Sequence, residues 1–214
     1  MAIVYEHNFQ GSIWKVVAGG GPYLGVEVRD EDSLEVTFSK VSLDDHSIER
    51  ISHSELDWWV SLIGINESGS YYKKFESEKD PFQQAILHLD RTNTLKEQSN
   101  ASQFDYDRQF LNPVVYTESD PYWRSTAKFL KRMEIDPTLS IEYVERENYF
   151  VIVYYEALEG RLRRALMIVS HLGNTLFKTI LDDDSKGEAG QGFITYSNLV
   201  IFVSERKKLR FFEV

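Results

Sequence analysis

YFVIVYYEA at residues 149–157 and LRRALMIV at 162–169, parted by the turn residues 158–160, decide the fold. The first run is rich in β-branched and aromatic side chains, the second ends in Leu-Met-Ile-Val, and both are strand-length rather than helix-length. Working outward, residues 139–144, 175–181, 193–196, 199–204 and 209–214 have the same character, each bounded by polar or glycine-containing turns.

The first half alternates with period two. Leu24, Val26 and Val28 share one face of a segment whose other face carries Gly25, Glu27 and Arg29. Leu34, Val36 and Phe38 continue the pattern, and residues 58–65, 70–75 and 84–89 give further strands. Segment 111–117 reads as a further strand, which Pro113 either places at a sheet edge or restricts in its first part. Residues 122–133 are different: Trp123, Ala127, Phe129, Leu130 and Met133 fit a short amphipathic helix between Pro121 and Pro137, or else an irregular strand pair. The polar stretch 96–107 carries no pattern. The expected class is therefore all-β, as one domain over 1–214.

Composition narrows the function. The chain has 214 residues, 14% aromatic, no cysteine and a net charge of −10. Disulfides, thiolate metal sites and cysteine nucleophiles are excluded. The negative charge disfavours nucleic acid and anionic membranes as partners. Residues 1–10 lack the charged and apolar regions of a secretion signal, so the expected location is the cytoplasm. The two basic clusters, Arg161, Arg163, Arg164 and Arg206, Lys207, Lys208, Arg210, read as charged hairpin tips or guarded edges, with a local anion site as the alternative.

Three hairpins resemble one another: VTFSKVSLDDHSI (36–48), AILHLDRTNTL (85–95) and ALMIVSHLGNTL (165–176). Asn93-Thr94-Leu95 recurs 81 positions on as Asn174-Thr175-Leu176, and Ile48 and Leu95 lie 47 apart, which gives a period near a propeller blade. Five units follow, at 13–52, 57–97, 103–136, 139–181 and 190–214. The last is one strand short, and an N-terminal strand over 2–9 is expected to complete it. The expected architecture is propeller-like with about five small antiparallel sheets; a β-sandwich or barrel needs the same strands.

LHLDRTNTLK at 87–96 resembles the Leu-Asp-x-x-Thr-Gly turn of quinoprotein-like propeller repeats. It departs from that pattern at Thr92, one residue early, at Asn93, in place of glycine, and in lacking the later tryptophan. The stretches GVEVRD (25–30), DWW (57–59), IEY (141–143) and LVIFVSE (199–205) are similar to an uncharacterised Bacteroidetes family of propeller-like proteins, a domain of unknown function. That resemblance implies a propeller over nearly the whole chain. It implies no activity and no quinone.

Candidate site residues are few. Adjacent Trp58 and Trp59, read as part of a strand, point to opposite faces, so that one packs in the core and the other either packs between blades or is offered to a sugar or peptide beside Asp57. Glu27, Arg29 and Asp30 form an acid–base–acid group, read either as an internal ion pair or as a charged contact surface. Glu27, Asp57, Asp80, Asp90 and Asp120 are the carboxylates at strand ends that glycoside chemistry could draw on. DDDSKGE at 182–188 begins like a calcium loop, but Lys186 and Phe193 stand where ligands are needed. His7, His46, His53, His88 and His171 form no metal-binding spacing, and Gly19-Gly20-Gly21-Pro22 precedes no helix. No metal and no cofactor are expected. The expectation is a binding or scaffold module for a protein or small ligand, leaning away from catalysis; the alternative is a carbohydrate-binding or glycoside-active protein using Trp58 or Trp59 with carboxylates.

Overall fold

The computed structural model describes residues 1–75, 84–98, 106–185 and 191–214. Asp80, Pro81, much of the polar stretch 96–107 and the end of the acidic run, Lys186 to Glu188, lie outside them. The described chain is all-β with one helix and forms two compact units, residues 9–110 and residues 1–8 with 111–214.

The first unit holds β2 (Ser12–Gly20), β3 (Tyr23–Asp30), β4 (Glu35–Ser42), β5 (Ile48–Ile51), β6 (Val60–Asn66), β7 (Gly69–Phe75), β8 (Gln84–Asp90) and β9 (Leu95–Gln98). They are hydrogen-bonded in the order β5-β4-β3-β2-β6-β7-β8-β9. Every pairing is antiparallel except β2 with β6, a parallel link confined to Gly19 with Ile65 and Gly20 with Asn66. Glycine is required there, because a Cβ on Gly19 would stand 2.4 Å from the Tyr23 carbonyl oxygen. This eight-stranded sheet is thus two four-stranded meanders, β2–β5 and β6–β9, joined at one corner and curled until they face each other. Val17 and Phe38 of the first meander pack with Val60, Leu62, Tyr72, Leu87 and Leu89 of the second. The Phe38 ring meets Tyr72 edge-on at 4.9 Å.

The second unit contains β1 (Ala2–Asn8), β11 (Val114–Thr117), α1 (Pro121–Arg132), β12 (Pro137–Glu145), β13 (Tyr149–Leu158), β14 (Arg161–Ser170), β15 (Thr175–Asp182), β16 (Phe193–Tyr196), β17 (Leu199–Ser204) and β18 (Lys208–Glu213); the two-residue β10 (Phe110–Leu111) marks the passage between units. One sheet runs β11-β12-β13-β14-β15, and the other contains β1-β18-β17-β16. Their facing sides share a core of Val151, Val153, Leu166 and Ile168 against Phe193, Val200, Phe202 and Phe212. On its other face, β12–β14 packs Ile141, Ile152, Tyr154 and Met167 under Ala127 and Leu130 of α1. β13 and β14 are covered on both faces, which is why their sequences carry almost no alternation. Each fully buried aliphatic side chain here contributes about 1.5–3 kcal/mol.

Four of the five expected repeat units are meanders: 13–52, 57–97, 139–181 and 190–214. The N-terminal strand completes the last one, pairing Ala2 with Glu213 through Asn8 with Lys208. The unit expected at 103–136 is not a small sheet, because its described part holds two short strands and the helix. The face-to-face sheets suit a sandwich as well as stacked blades.

The turn after β8 and the turn after β14 are the same device. Asp90 N–H donates to the Thr94 carbonyl and Asn93 N–H to the Asp90 carbonyl; Ser170 does likewise with Asn174 and Gly173. The Asp90 carboxylate accepts the Thr94 N–H as the Ser170 hydroxyl accepts that of Asn174. The left-handed residue is Asn93 in one and Gly173 in the other. The structural equivalence therefore runs one residue out of step with the shared Asn-Thr-Leu.

Candidate functional site

The Glu27–Arg29 group lies inside the first unit and is a clasp between its meanders. Glu27 is fully buried. Its carboxylate accepts the Arg29 Nε at 2.8 Å, the Ser61 hydroxyl at 3.0 Å and the Leu62 N–H at 2.8 Å. Arg29 donates onward to the carbonyls of Trp58 at 2.9 Å and Val60 at 3.0 Å. Lys15, paired across the strands with Glu27, donates to the Leu62 carbonyl at 2.9 Å. Burial lowers its pKa, and Glu27 partly offsets that. Charged side chains of β2 and β3 thus hold the start of β6 by its backbone. A buried charge has to be paired and hydrogen-bonded, and both charges here are.

Trp58 and Trp59 precede β6 in a turn rather than on a strand. Asp57 makes the turn: its carboxylate accepts the Trp59 N–H at 3.0 Å. Trp58 is half-buried, with the Arg29 guanidinium 4.7 Å from its ring. Arg29 also meets Trp14, whose ring lies 5.4 Å away. Trp14 occupies a bulge of β2, between Ile13 and Lys15, and is 60% exposed. Bulges re-aim side chains, and this one turns an indole outward beside a rigid guanidinium. Trp59 is 41% exposed. Glu27, Arg29 and Trp58 therefore converge, joined by Trp14, which sequence reasoning missed. Exposed Asp30, Glu31, Asp32 and Asp57 flank the group.

The second unit repeats the clasp. Buried Glu142 on β12 pairs with buried Arg164 on β14, and its other oxygen accepts the Gly192 N–H at 2.7 Å, just ahead of β16. Burial pushes the Glu142 carboxyl above its ordinary range, against the pull of Arg164 and of the Gly192 N–H. In each unit a buried glutamate thus takes a backbone N–H at or near the first strand of the facing meander. The sequence signal was a glutamate amid apolar strand residues, Val26-Glu27-Val28 and Ile141-Glu142.

The other candidates have structural partners. Asp90 and Asp120 cap turns, accepting from Thr92 and Thr117 respectively, and both carboxyls are thereby held low. Of the basic clusters, Arg163 pairs with Asp183, Arg206 with Asp182, Lys208 with Glu205 and Arg210 with Glu6. Those partners absorb two acids of the 182–188 run. No group of three or more potential metal ligands occurs among the described residues. No helix among them is long and apolar enough to cross a membrane. No protein-family model matches the chain, and no curated protein matches it.

Proposed function

We propose that this chain is a non-catalytic binding module of the propeller type, whose first contact surface is the Trp14–Arg29–Trp58 stack. The observation that carries the proposal is the state of Arg29. Its nitrogens donate to Glu27 and to two backbone carbonyls, so it serves as a fixed post beside two indoles, one of them largely exposed. Glu27 has both oxygens engaged, and that employment supports a structural role over acid–base work. The four meanders and the return of β1 to β18 support the propeller reading.

The surrounding carboxylates favour a partner that lays a basic side chain on Trp14, where the ring face attracts the cation and Asp30 to Asp32 attract the charge. The test is binding of the intact chain to an array of lysine- and arginine-rich peptides, with acidic and neutral peptides as controls. Retention on basic peptides, lost in Trp14→Ala and weakened by salt, is expected. Equal retention by the parent and Trp14→Ala, or none on any basic peptide, overturns the assignment.

A further inference from the structure

Five aromatic rings line up across the outer face of the β11–β15 sheet beside α1. Tyr122 at the start of the helix lies 5.6 Å from Tyr116 on β11, and Tyr116 lies 6.4 Å from Tyr143 on β12. Tyr143 lies 5.8 Å from Phe150 on β13, and Phe150 lies 6.1 Å from His171 in the β14–β15 turn. The interplanar angles of the first three steps are 30°, 36° and 31°, so neighbouring rings are tilted to one another rather than edge-on. Phe129 of α1 braces Phe150 edge-on at 5.5 Å. Tyr122 is 66% exposed, His171 is exposed, and the three central rings are half-buried.

Polar groups sit at one end of the row. The Tyr143 hydroxyl donates to Glu145 at 3.3 Å, and the opposite oxygen of Glu145 lies 3.9 Å from His171 Nδ1. His171 Nε2 is 2.9 Å from the Arg146 carbonyl oxygen. The Glu145 carboxylate is thus bonded into the row.

We propose that this row is a binding site for a neutral, β-linked oligosaccharide. The C–H faces of successive sugar rings stack on successive aromatic rings, and the ring-to-ring step is close to the size of one pyranose residue. The Tyr143 hydroxyl and Glu145 take hydroxyl groups at the rim. The Glu145 carboxylate bonded into the row disfavours sulfated or uronic glycans by like-charge repulsion. The proposal shares with the preceding section only the reading of the chain as a binding module. It lies in the other unit and depends on none of the residues Trp14, Arg29 or Trp58.

The experiment is calorimetric titration of the intact chain with neutral hexasaccharides of β-1,4-linked glucose, xylose and mannose, and with a proline-rich peptide as competitor class. At least one hexasaccharide is expected to bind. Tyr116→Ala and Tyr143→Ala are each expected to weaken it about tenfold or more, Tyr116→Phe to keep it, and Trp14→Ala to leave it unchanged. The phenylalanine variant separates loss of the ring from loss of folding. No heat with any hexasaccharide, affinity indifferent to both alanine variants, or binding of the proline-rich peptide alone overturns the proposal. Any of these outcomes leaves the Trp14 surface to be judged by its own peptide assay.

Discussion

Replacing Glu27 by glutamine removes the charge at the centre of the first unit's clasp while keeping its shape. The native carboxylate accepts from Arg29, Ser61 and Leu62, and it is fully buried. An amide offers one oxygen to three donors and turns an N–H₂ group toward one of them. Arg29, whose side chain is 11% exposed, then keeps a buried charge without its counter-charge. Breaking a buried pair from one side costs about 3–5 kcal/mol. For a chain of this length each kcal/mol moves the midpoint by about 2–4 °C, so Tm is expected to fall by about 6–20 °C. Thermal and urea unfolding followed by tryptophan fluorescence reads this directly, since Trp14, Trp58 and Trp59, three of the four tryptophans, lie in the first unit. Asp30→Asn, at an exposed position beside the clasp, is the control and is expected to stay within about 0.5 kcal/mol. The double variant Glu27→Met with Arg29→Met is expected to recover part of the loss, because no buried charge is then left unpaired. If Glu27→Gln unfolds within about 1 kcal/mol of the parent, the clasp reasoning is wrong.

Deleting residues 1–8 removes a strand paired to β18 along its length, along with the Arg210–Glu6 contact and the Tyr5–Phe211 ring pair; differential calorimetry is expected to show a lower Tm, and an unchanged one would mean the strand is dispensable. Leu130→Ala, at a fully buried position under α1, is expected to cost about 2–5 kcal/mol in urea titration. Hydrogen bonds from Ser42 and Ser47 hold the Asp45 carboxyl at about 2, and Asp90 and Asp120 are lowered in the same way. A carboxyl depressed in the folded state stabilises above its unfolded pKa, so stability is expected to fall as pH drops from about 4 towards 2, and Asp45→Asn to flatten that slope in acid titration. Burial, with Glu145 adding to it, pushes the Tyr143 hydroxyl up to about 12; its phenolate absorbance is expected to appear at lower pH in Glu145→Gln.

Strand order within each meander was legible because turns made of glycine, asparagine and aspartate punctuate runs of one periodicity. Even the return of the N-terminal strand could be inferred from a unit one strand short. The unit at 103–136 misled because its length suited a blade, while Pro113 and Pro121 cut it into pieces too short to pair as one. Trp58 and Trp59 misled through β-propensity: the Asp57 carboxylate closes a turn over the Trp59 N–H, and local turn chemistry overrode the aromatic preference. Glu27 and Arg29 stand two residues apart, so their pairing could be guessed; Glu142 and Arg164 are joined only by the sheet. The aromatic row was invisible for the same reason. Its members, at 116, 122, 143, 150 and 171, come from three strands, a helix and a turn.

The two clasps also say why such facing layers carry charge at all. A leucine at position 27 would bury as much apolar area without the desolvation cost, so the ion pair is poor evidence for stability. What the glutamate supplies is position. An apolar contact tolerates β6 sliding against β3, whereas a carboxylate that must receive the Leu62 N–H and the Ser61 hydroxyl together fits one register only. In the second unit Glu142 does the same at Gly192, where an added Cβ would stand 2.8 Å from the Arg164 guanidinium and 3.1 Å from the Glu142 carboxylate. Each clasp fixes where two meanders meet. In the first unit it also fixes Trp58, whose carbonyl it holds, and Arg29, on which the exposed Trp14 rests. A surface indole seated on so determined a base has little freedom left to lose on binding, which is the property a contact residue needs.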